Sequence, residues 1–128
     1  MSRWVVHARQ AFTARHALAR YLGRPEDAHE HRWEVEIRVG SESLNDEGYA
    51  LDFHAIRRIL SDAVQPLVGT DLNRHPEIGR PTPSAERVAE VLAGQISDHL
   101  RALGGELLSI SVWEGPKNRV DLHLDGMS

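Results

Sequence analysis

The sequence predicts one α+β domain in which four antiparallel strands form a sheet and two helices cover one of its faces. The chain has 128 residues, of which 41% are hydrophobic and 27% are charged, as is typical of a single globular domain. Apolar residues alternate in four segments and recur at helical spacing in two, in the order β-β-α-α-β-β. Two hairpins that frame two helices favour an antiparallel sheet with both helices on one side.

Two strands and one helix are predicted in the first half of the chain. The first strand runs from about Trp4 to Thr13, and a loop follows it. The second strand is the clearest element, because apolar and charged positions alternate along it: Trp33, Val35, Ile37 and Val39 against Arg32, Glu34, Glu36 and Arg38. Residues 40–48 form a turn. Asp52 then caps a helix whose apolar positions recur every three or four residues: Phe53, Ile56, Ile59, Leu60, Ala63, Val64 and Leu67.

The second half is predicted to hold a longer helix and a second hairpin. Residues 69–83 are rich in proline, glycine and asparagine and form a loop. The second helix begins near Pro83-Ser84, with proline in its first turn, and ends at the glycine pair 104–105. Strands follow over residues 108–113 and 120–124, joined by a turn. Because the outer strands of such a sheet have unpaired edges, we expect edge-to-edge assembly into an oligomer.

The charge balance and the absence of cysteine exclude several classes of function. The chain has 15 basic and 19 acidic residues and no dense basic stripe, which argues against a nucleic-acid or anionic-membrane partner. No apolar run approaches the length of a membrane span, and the first residues do not form a signal sequence, so we expect a soluble, cytoplasmic protein. Without cysteine there is no thiolate ligand or cysteine nucleophile.

Eight histidines are the informative feature of the composition, because histidine without cysteine favours a nitrogen and oxygen metal site or acid–base chemistry. His29 and His31 share the parity of the core-facing positions of the second strand, and His16 shares the parity of Phe12. Pairing of the two strands would bring the three imidazoles together, with a fourth coordination position left open. The spacing also allows simple packed or polar residues. We interpret four of the remaining five as surface residues: His54, His75, His99 and His123.

Six short motifs occur in a fixed order along the chain. They are Phe12-Thr13-Ala14-Arg15-His16, His29-Glu30-His31-Arg32-Trp33, Gly48-Tyr49-Ala50-Leu51-Asp52-Phe53, Leu72-Asn73, Pro83-Ser84-Ala85-Glu86 and Trp113-Glu114. Together they resemble the F-x-A-x-H, H-G-H, G-x-x-x-D-F, L-N, P-T-x-E and late-strand glutamate motifs of the 6-pyruvoyl tetrahydropterin synthase and 6-carboxytetrahydropterin synthase family. The resemblance covers nearly the whole chain.

The resemblance implies a single tunnelling-fold domain over residues 1–128, in which three subunits pair their sheet edges into a barrel and two barrels usually stack into a hexamer. It implies zinc as the cofactor, bound by His16, His29 and His31. It also implies a pterin-like ligand whose guanidine-like edge is held by Glu114, because the two oxygens of a carboxylate match two parallel N–H donors. Ser84 stands at the threonine of P-T-x-E and is assigned to substrate binding on the same ground.

The residues that transfer protons depart from the family pattern. The family's catalytic cysteine precedes H-G-H, and residues 23–28 contain no cysteine here. The family's Asp-His pair before L-N is also missing from residues 68–71, and the glycine of H-G-H is Glu30. We therefore expect the standard lyase activity of the family to be weak or absent.

Two hypotheses remain open at this point. In the first, the protein is a diverged zinc lyase or hydrolase that acts on a pterin or related heterocycle, and a carboxylate replaces the cysteine as general base. The candidate residues for this chemistry are Glu26, Asp27, Glu30, Asp71 and His75, although strand alternation points Glu30 away from the metal face. In the second, the protein is a non-catalytic zinc and pterin binder: a sensor, carrier or assembly subunit. Loss of the three catalytic residues favours the second hypothesis, and the gain of Glu30 favours the first.

Overall fold

A computed structural model describes residues 3–18, 22–23 and 27–124 of the chain. Its helices and strands are β1 (Trp4–His16), β2 (His29–Ser41), α1 (Phe53–Val64), α2 (Ala85–Ala102), β3 (Glu106–Glu114) and β4 (Asn118–His123). Two short 3-10 turns, Gln65–Leu67 and Leu72–Arg74, lie between the helices. The predicted β-β-α-α-β-β order is confirmed.

The four strands form one antiparallel sheet in the order β1-β2-β3-β4. Trp33 of β2 lies directly opposite Phe12 of β1 and Glu114 of β3. Its side chain is completely buried, and its ring stacks on that of Phe12 at a centroid distance of 6.0 Å. Because side chains alternate between the two faces of a strand, this buried residue indicates which neighbouring residues of the three strands face the core. The register between β2 and β3 shifts farther along, between Arg38 and Val39.

Both helices pack on the apolar face of the sheet. The Asp52 carboxylate accepts the backbone N–H of His54 and starts α1, as the sequence predicted. The Ser84 hydroxyl accepts the backbone N–H of Arg87 and starts α2. Each helix buries one apolar stripe, formed by Ile56, Leu60 and Val64 in α1 and by Val88, Leu92, Ile96 and Leu100 in α2. None of the helices in the described part of the chain is long and apolar enough to cross a membrane.

Three predicted boundaries need correction. β2 continues to Ser41, so residues 40 and 41 belong to this strand and not to the predicted turn. β1 does not end near Thr13 but continues to His16, because its last residues pair with the first residues of β2 and the segment after α1 bonds to its outer edge. The Gly69 N–H donates to the Thr13 carbonyl oxygen at 2.7 Å, and the Arg15 N–H donates to the Thr70 carbonyl oxygen at 2.9 Å. Proline does not lie in the first turn of α2, since Pro83 precedes the capping residue.

The face of the sheet that carries no helix is covered by a polar network. The Ser111 hydroxyl donates to Asp121 on β4 at 2.5 Å and accepts from Arg38 on β2 at 3.0 Å. Arg119 lies 3.1 Å from the same Asp121 carboxylate. The hydrogen bond from Ser111 lowers the pKa of Asp121, and the charges of Arg119 and Arg38 act in the same direction. The network links three strands through charged and hydroxyl groups.

We predict that Gly79→Ala destabilises the protein. A Cβ at this position would lie 2.5 Å from the Asn73 carbonyl oxygen and 2.7 Å from that of His75. Both are backbone atoms, so relieving the clash would require the main chain to move. The expected loss is about 1–3 kcal/mol of unfolding free energy, as for other overpacked sites. Urea denaturation measures it.

Gly94→Ala is the matched control. Gly94 lies within α2, and a Cβ there meets nothing within 4 Å. This variant should be stabilised by about 0.5–1 kcal/mol, because alanine loses less conformational entropy in a helix than glycine does. Equal denaturation midpoints for the two variants would contradict the role assigned to Gly79.

Candidate metal centre

Three imidazole rings meet where β1 and β2 are joined. His16 and His29 are direct partners in the strand register, and His31 lies opposite Ala14. The ring centroids are 4.9 Å apart for His16 and His29, 5.2 Å for His16 and His31, and 4.2 Å for His29 and His31. Strand pairing therefore brings together the three histidines that the sequence singled out.

Backbone carbonyls orient two of the rings. The Nδ1 of His16 lies 2.9 Å from the Pro83 carbonyl oxygen, and the Nδ1 of His29 lies 2.9 Å from that of Asp27. A carbonyl oxygen can only accept, so each Nδ1 carries a proton and donates it. The Nε2 of each ring is then the nitrogen that can bind a metal ion when the ring is neutral, or donate to a carboxylate when the ring is protonated. A hydrogen bond at the other ring nitrogen is typical of metal-binding histidines, because it sets both the tautomer and the orientation of the ring.

Glu114 completes the cluster from the end of β3. Its Oε1 lies 2.9 Å from the His16 Nε2 and 3.1 Å from the His31 Nε2. The hydrogen bond with His16 lowers the pKa of the Glu114 carboxyl, and the histidine charges add to this effect against the opposing effect of burial. Glu114 is therefore an anion close to two of the rings.

The donor set fits zinc. One ligand atom from each of His16, His29, His31 and Glu114 can be chosen so that all four lie within 4.8 Å of one another. Imidazole nitrogen and carboxylate oxygen are both zinc ligands, and three histidines with one further ligand make a common zinc set. The resemblance assigned Glu114 to substrate binding. Its direct contact with the histidines is a finding of the structure.

The buried Trp33 forms the floor of the cluster. Its ring centroid is 4.9 Å from that of His16 and 6.4 Å from that of His31. The indole N–H donates to the Ala14 carbonyl oxygen at 3.2 Å, which satisfies its only polar group within the core. His16 is itself completely buried above this floor. A large, immobilised ring thus supports the histidine side chains from below.

Asn73 holds the chain immediately after His16. Its Oδ1 accepts the Ala17 N–H at 2.7 Å, and its Nδ2 donates to the Ala17 carbonyl oxygen at 2.7 Å. The sequence contained Asn73 as part of the L-N motif but gave no reason for an amide at this position. The structure supplies one: a side-chain amide offers a donor and an acceptor side by side, as a backbone does.

The predicted proton-transfer residues are not brought into the cluster, which among the described residues holds only the three histidines and Glu114. Asp27 contributes its backbone carbonyl, to His29. Glu30 is exposed on the opposite face of the sheet, beside Arg15, as strand alternation predicted. Glu26 lies outside the described residues.

Three further predicted site residues have local structural roles. The Asp71 carboxylate accepts the Asn73 N–H at 3.0 Å. The His75 Nδ1 accepts the N–H groups of Glu77 and Ile78, at 3.1 and 3.0 Å. The Ser84 hydroxyl caps α2. These contacts hold the loop and the helix start that border the histidine cluster.

Comparison with known proteins agrees with the motifs. The sequence profile described as 6-pyruvoyl tetrahydropterin synthase matches residues 5–124. The chain belongs to the 6-pyruvoyl tetrahydropterin synthase family. No curated protein sequence matches it.

Solved structures of this family share the fold. The Caenorhabditis elegans 6-pyruvoyl tetrahydropterin synthase is 15% identical, with a TM-score of 0.74 over 96% of this chain and 98% of that chain. The Plasmodium falciparum enzyme is 17% identical, with a TM-score of 0.73 over the same shares, 96% and 98%. A Plasmodium vivax 6-pyruvoyltetrahydropterin synthase, described as a catalytic residue mutant with alanine in place of glutamate, is 15% identical with a TM-score of 0.61 over 94% and 98%. The fold is thus the tunnelling fold.

We predict that Asn73→Ala weakens metal binding as well as stability. Loss of its two hydrogen bonds with Ala17 releases the segment that follows His16. We expect a loss of about 1–3 kcal/mol of unfolding free energy and a zinc affinity about 10-fold weaker, as for other residues whose hydrogen bonds hold a metal ligand in place. Denaturation and zinc competition titrations measure the two effects.

Asn45→Ala separates these effects. The Asn45 side chain also makes two backbone hydrogen bonds, accepting from Glu47 and Tyr49 in another loop. This control should lose stability with unchanged zinc affinity. If both variants weaken zinc binding equally, the two hydrogen bonds of Asn73 with Ala17 do not act by positioning His16.

Proposed function

We propose that the protein binds zinc through His16, His29 and His31 and acts on a pterin or a related heterocycle, with a lyase or hydrolase chemistry altered from that of the family. The convergence of three imidazoles and one carboxylate within 4.8 Å carries this proposal. Family membership supports the choice of zinc and of a pterin-like substrate. When bound, zinc would polarise a substrate hydroxyl or carbonyl, or lower the pKa of a bound water.

The chain's own residues would supply recognition. Glu114 is anionic and partly exposed, with 26% of its side-chain surface accessible, so a ligand can reach it. A carboxylate accepts two parallel N–H donors of a guanidine-like edge, which is the edge that a pterin ring offers. Ser84 belongs to the same proposal, at the border of the site where α2 begins.

A carboxylate is the proposed general base. A catalytic glutamate in the Plasmodium vivax relative makes such a replacement chemically reasonable. Glu26 and Asp27 precede His29 in the chain and are the first candidates by position. Glu30 faces the other side of the sheet, and Asp71 and His75 accept backbone N–H groups nearby, so these three rank lower.

A non-catalytic zinc and pterin binder is the second candidate. It is favoured by a specific observation: among the described residues, none of the predicted bases joins the cluster. Such a protein would retain Glu114 and the histidines for binding and would serve as a sensor, carrier or assembly subunit.

The proposal includes a homotrimer or hexamer that works in the cytoplasm. β1 and β4 are the outer strands of the sheet, so their outer edges are available for pairing with other copies. The loop that bonds to Thr13, Arg15 and Ala17 covers one end of β1. Pairing between copies would therefore use β1 residues before this covered end.

We predict about one zinc per chain in metal analysis of the purified protein. His29→Ala should lower zinc affinity at least about 100-fold, because it removes a direct ligand. His54→Ala, which changes an exposed residue of α1, should bind as the wild type does. Lack of zinc in the wild type after reconstitution would contradict the proposal.

A second prediction concerns turnover. With dihydroneopterin triphosphate as substrate, we expect the zinc-loaded protein to release little or no triphosphate. If there is turnover, either Glu26→Gln or Asp27→Asn, whichever removes the general base, should lower it about 100-fold. Product analysis by chromatography measures it. Turnover that survives both changes would disprove the carboxylate base, and pterin binding without any turnover would favour the non-catalytic binder.

A further inference from the structure

We propose that Arg87, on the first turn of α2, positions His16 by holding the segment whose Pro83 carbonyl oxygen orients the His16 ring. The polar contacts of Arg87 are with other residues, so it is a positioning residue and not a ligand. The inference rests on the proposed function, since it concerns how one proposed zinc ligand is aimed. It goes further in giving a task to a side chain outside the histidine cluster and outside the six motifs.

A single buried hydrogen bond links His16 to the start of α2. The His16 Nδ1 donates to the Pro83 carbonyl oxygen at 2.9 Å, and both residues are buried. A rotation of the ring away from this oxygen would leave a buried donor without a partner, which is unfavourable. The direction of the Nε2, across the ring, therefore follows the position of the Pro83 carbonyl.

Pro83 cannot fix its own position by donating a hydrogen bond, because proline has no backbone N–H group. It is followed by Ser84, the capping residue of α2, whose N–H donates to the Thr82 carbonyl oxygen at 2.9 Å. The direction of the Pro83 carbonyl is thus set by the segments on either side of it.

Arg87 binds the chain on both sides of Pro83. On the helix side, its backbone N–H donates to the Ser84 hydroxyl at 3.1 Å. On the loop side, its side-chain Nε donates to the carbonyl oxygens of Glu77 and Arg80, each at 2.9 Å. Hydrogen bonds from a charged guanidinium are stronger than those between neutral groups. The chain from residue 77 to residue 87 is therefore closed into a loop that contains Pro83.

The far end of this loop is anchored in the core. Ile78 is completely buried, and the Gly79 N–H donates to the His75 carbonyl oxygen at 2.9 Å. Glu77 precedes Ile78 directly, so the first carbonyl that Arg87 binds belongs to an immobilised part of the chain. A bond to a fixed carbonyl can hold Pro83 in place, whereas a bond to a free segment could not.

The place of Arg87 in the helix supports this role. It is the third residue of α2, where a cation faces the positive end of the helix macrodipole. The ion pair with Glu90, at 3.5 Å, is partly exposed and contributes little. A residue that breaks a local rule of this kind often has a task elsewhere in the structure. Here the two loop carbonyls supply that task.

The first test compares zinc affinities of the full-length protein, measured by competition with a chelator. Arg87→Met removes the donors and keeps most of the stem, and we expect the zinc Kd to rise about 10-fold, as for other residues that hold a metal ligand indirectly. Arg87→Lys keeps the charge without the planar guanidinium and should recover only part of the affinity.

Two control variants on the same helix should bind zinc as the wild type does. Glu90→Gln removes the ion pair of Arg87 and leaves its hydrogen bonds to the loop. Arg101→Met removes another i,i+3 ion pair, with Asp98, in the last turn of α2. These controls separate the hydrogen bonds to the loop from the charge of Arg87 and from a general effect on the helix.

NMR of the imidazole N–H groups in the metal-free protein tests the positioning directly. In the wild type, the His16 Nδ1–H should exchange slowly with water, because it is buried and hydrogen-bonded. Arg87→Met should speed this exchange beyond what the change in global stability, measured by urea denaturation, accounts for. Arg101→Met should not. A residue that only stabilised the fold would change the exchange through global unfolding alone.

The outcomes separate this inference from the proposed function. Unchanged zinc affinity and unchanged exchange at His16 in Arg87→Met would overturn the inference and leave the proposed zinc site intact. Equal losses of zinc affinity in Glu90→Gln and Arg87→Met would also overturn it, because the ion pair would then be responsible. A wild type that binds no zinc would contradict the proposed function, and the exchange measurement would still decide the role of Arg87. If Arg87→Met folds poorly, Arg87→Lys allows both measurements.

Discussion

The pairing register of β1 and β2 is the constraint on which the rest of this structure depends. A strand alternates its side chains between two faces, so a shift of one residue would move His29 and His31 to the face where Glu30 now lies. The register is held by Trp33, whose ring is buried against Phe12 and whose indole N–H is bonded to the Ala14 carbonyl oxygen. Displacing such a ring from the core would cost several kcal/mol, as for other large buried side chains. The histidine cluster is therefore positioned by the packing of a residue outside the cluster.

Residues from the second half of the chain hold the histidines of the first half in place. Pro83, which precedes α2, accepts the hydrogen bond of His16, and Asn73 binds the backbone after that histidine. Glu114 reaches the same point from the end of β3. Three segments from the second half of the chain therefore contact the end of β1 and β2 that carries the histidines. This explains why the loop between the helices needs its local hydrogen bonds, such as those accepted by Asp71 and His75.

The structure divides the predicted site residues into two groups. The three histidines and Glu114 are brought together, whereas Asp71 and His75 support backbone turns and Glu30 is exposed on the other face of the sheet. Asp71 and His75 illustrate this, because their hydrogen-bonding atoms accept main-chain N–H groups that would otherwise lack partners. A carboxylate can bind an ion, bind a substrate edge or accept a proton, and Glu114 is the carboxylate that the fold places next to the histidines.

The sequence by itself determined the order of strands and helices, the core face of β2 and the set of three histidines that lie close together. These follow from local periodicity and from motifs in which the neighbours along the chain carry the information, as in the alternation around Trp33. Only the tertiary structure decided the remainder. β1 extends to His16, where it pairs with the start of β2 and bonds to a loop more than fifty residues away, at Gly69 and Thr70. The contact of Glu114 with His16 joins strands that are not neighbours in the sheet, and no local pattern specifies such a distance. Sequence parity gives the face on which a side chain lies, but the atoms it touches depend on register and packing across the whole sheet.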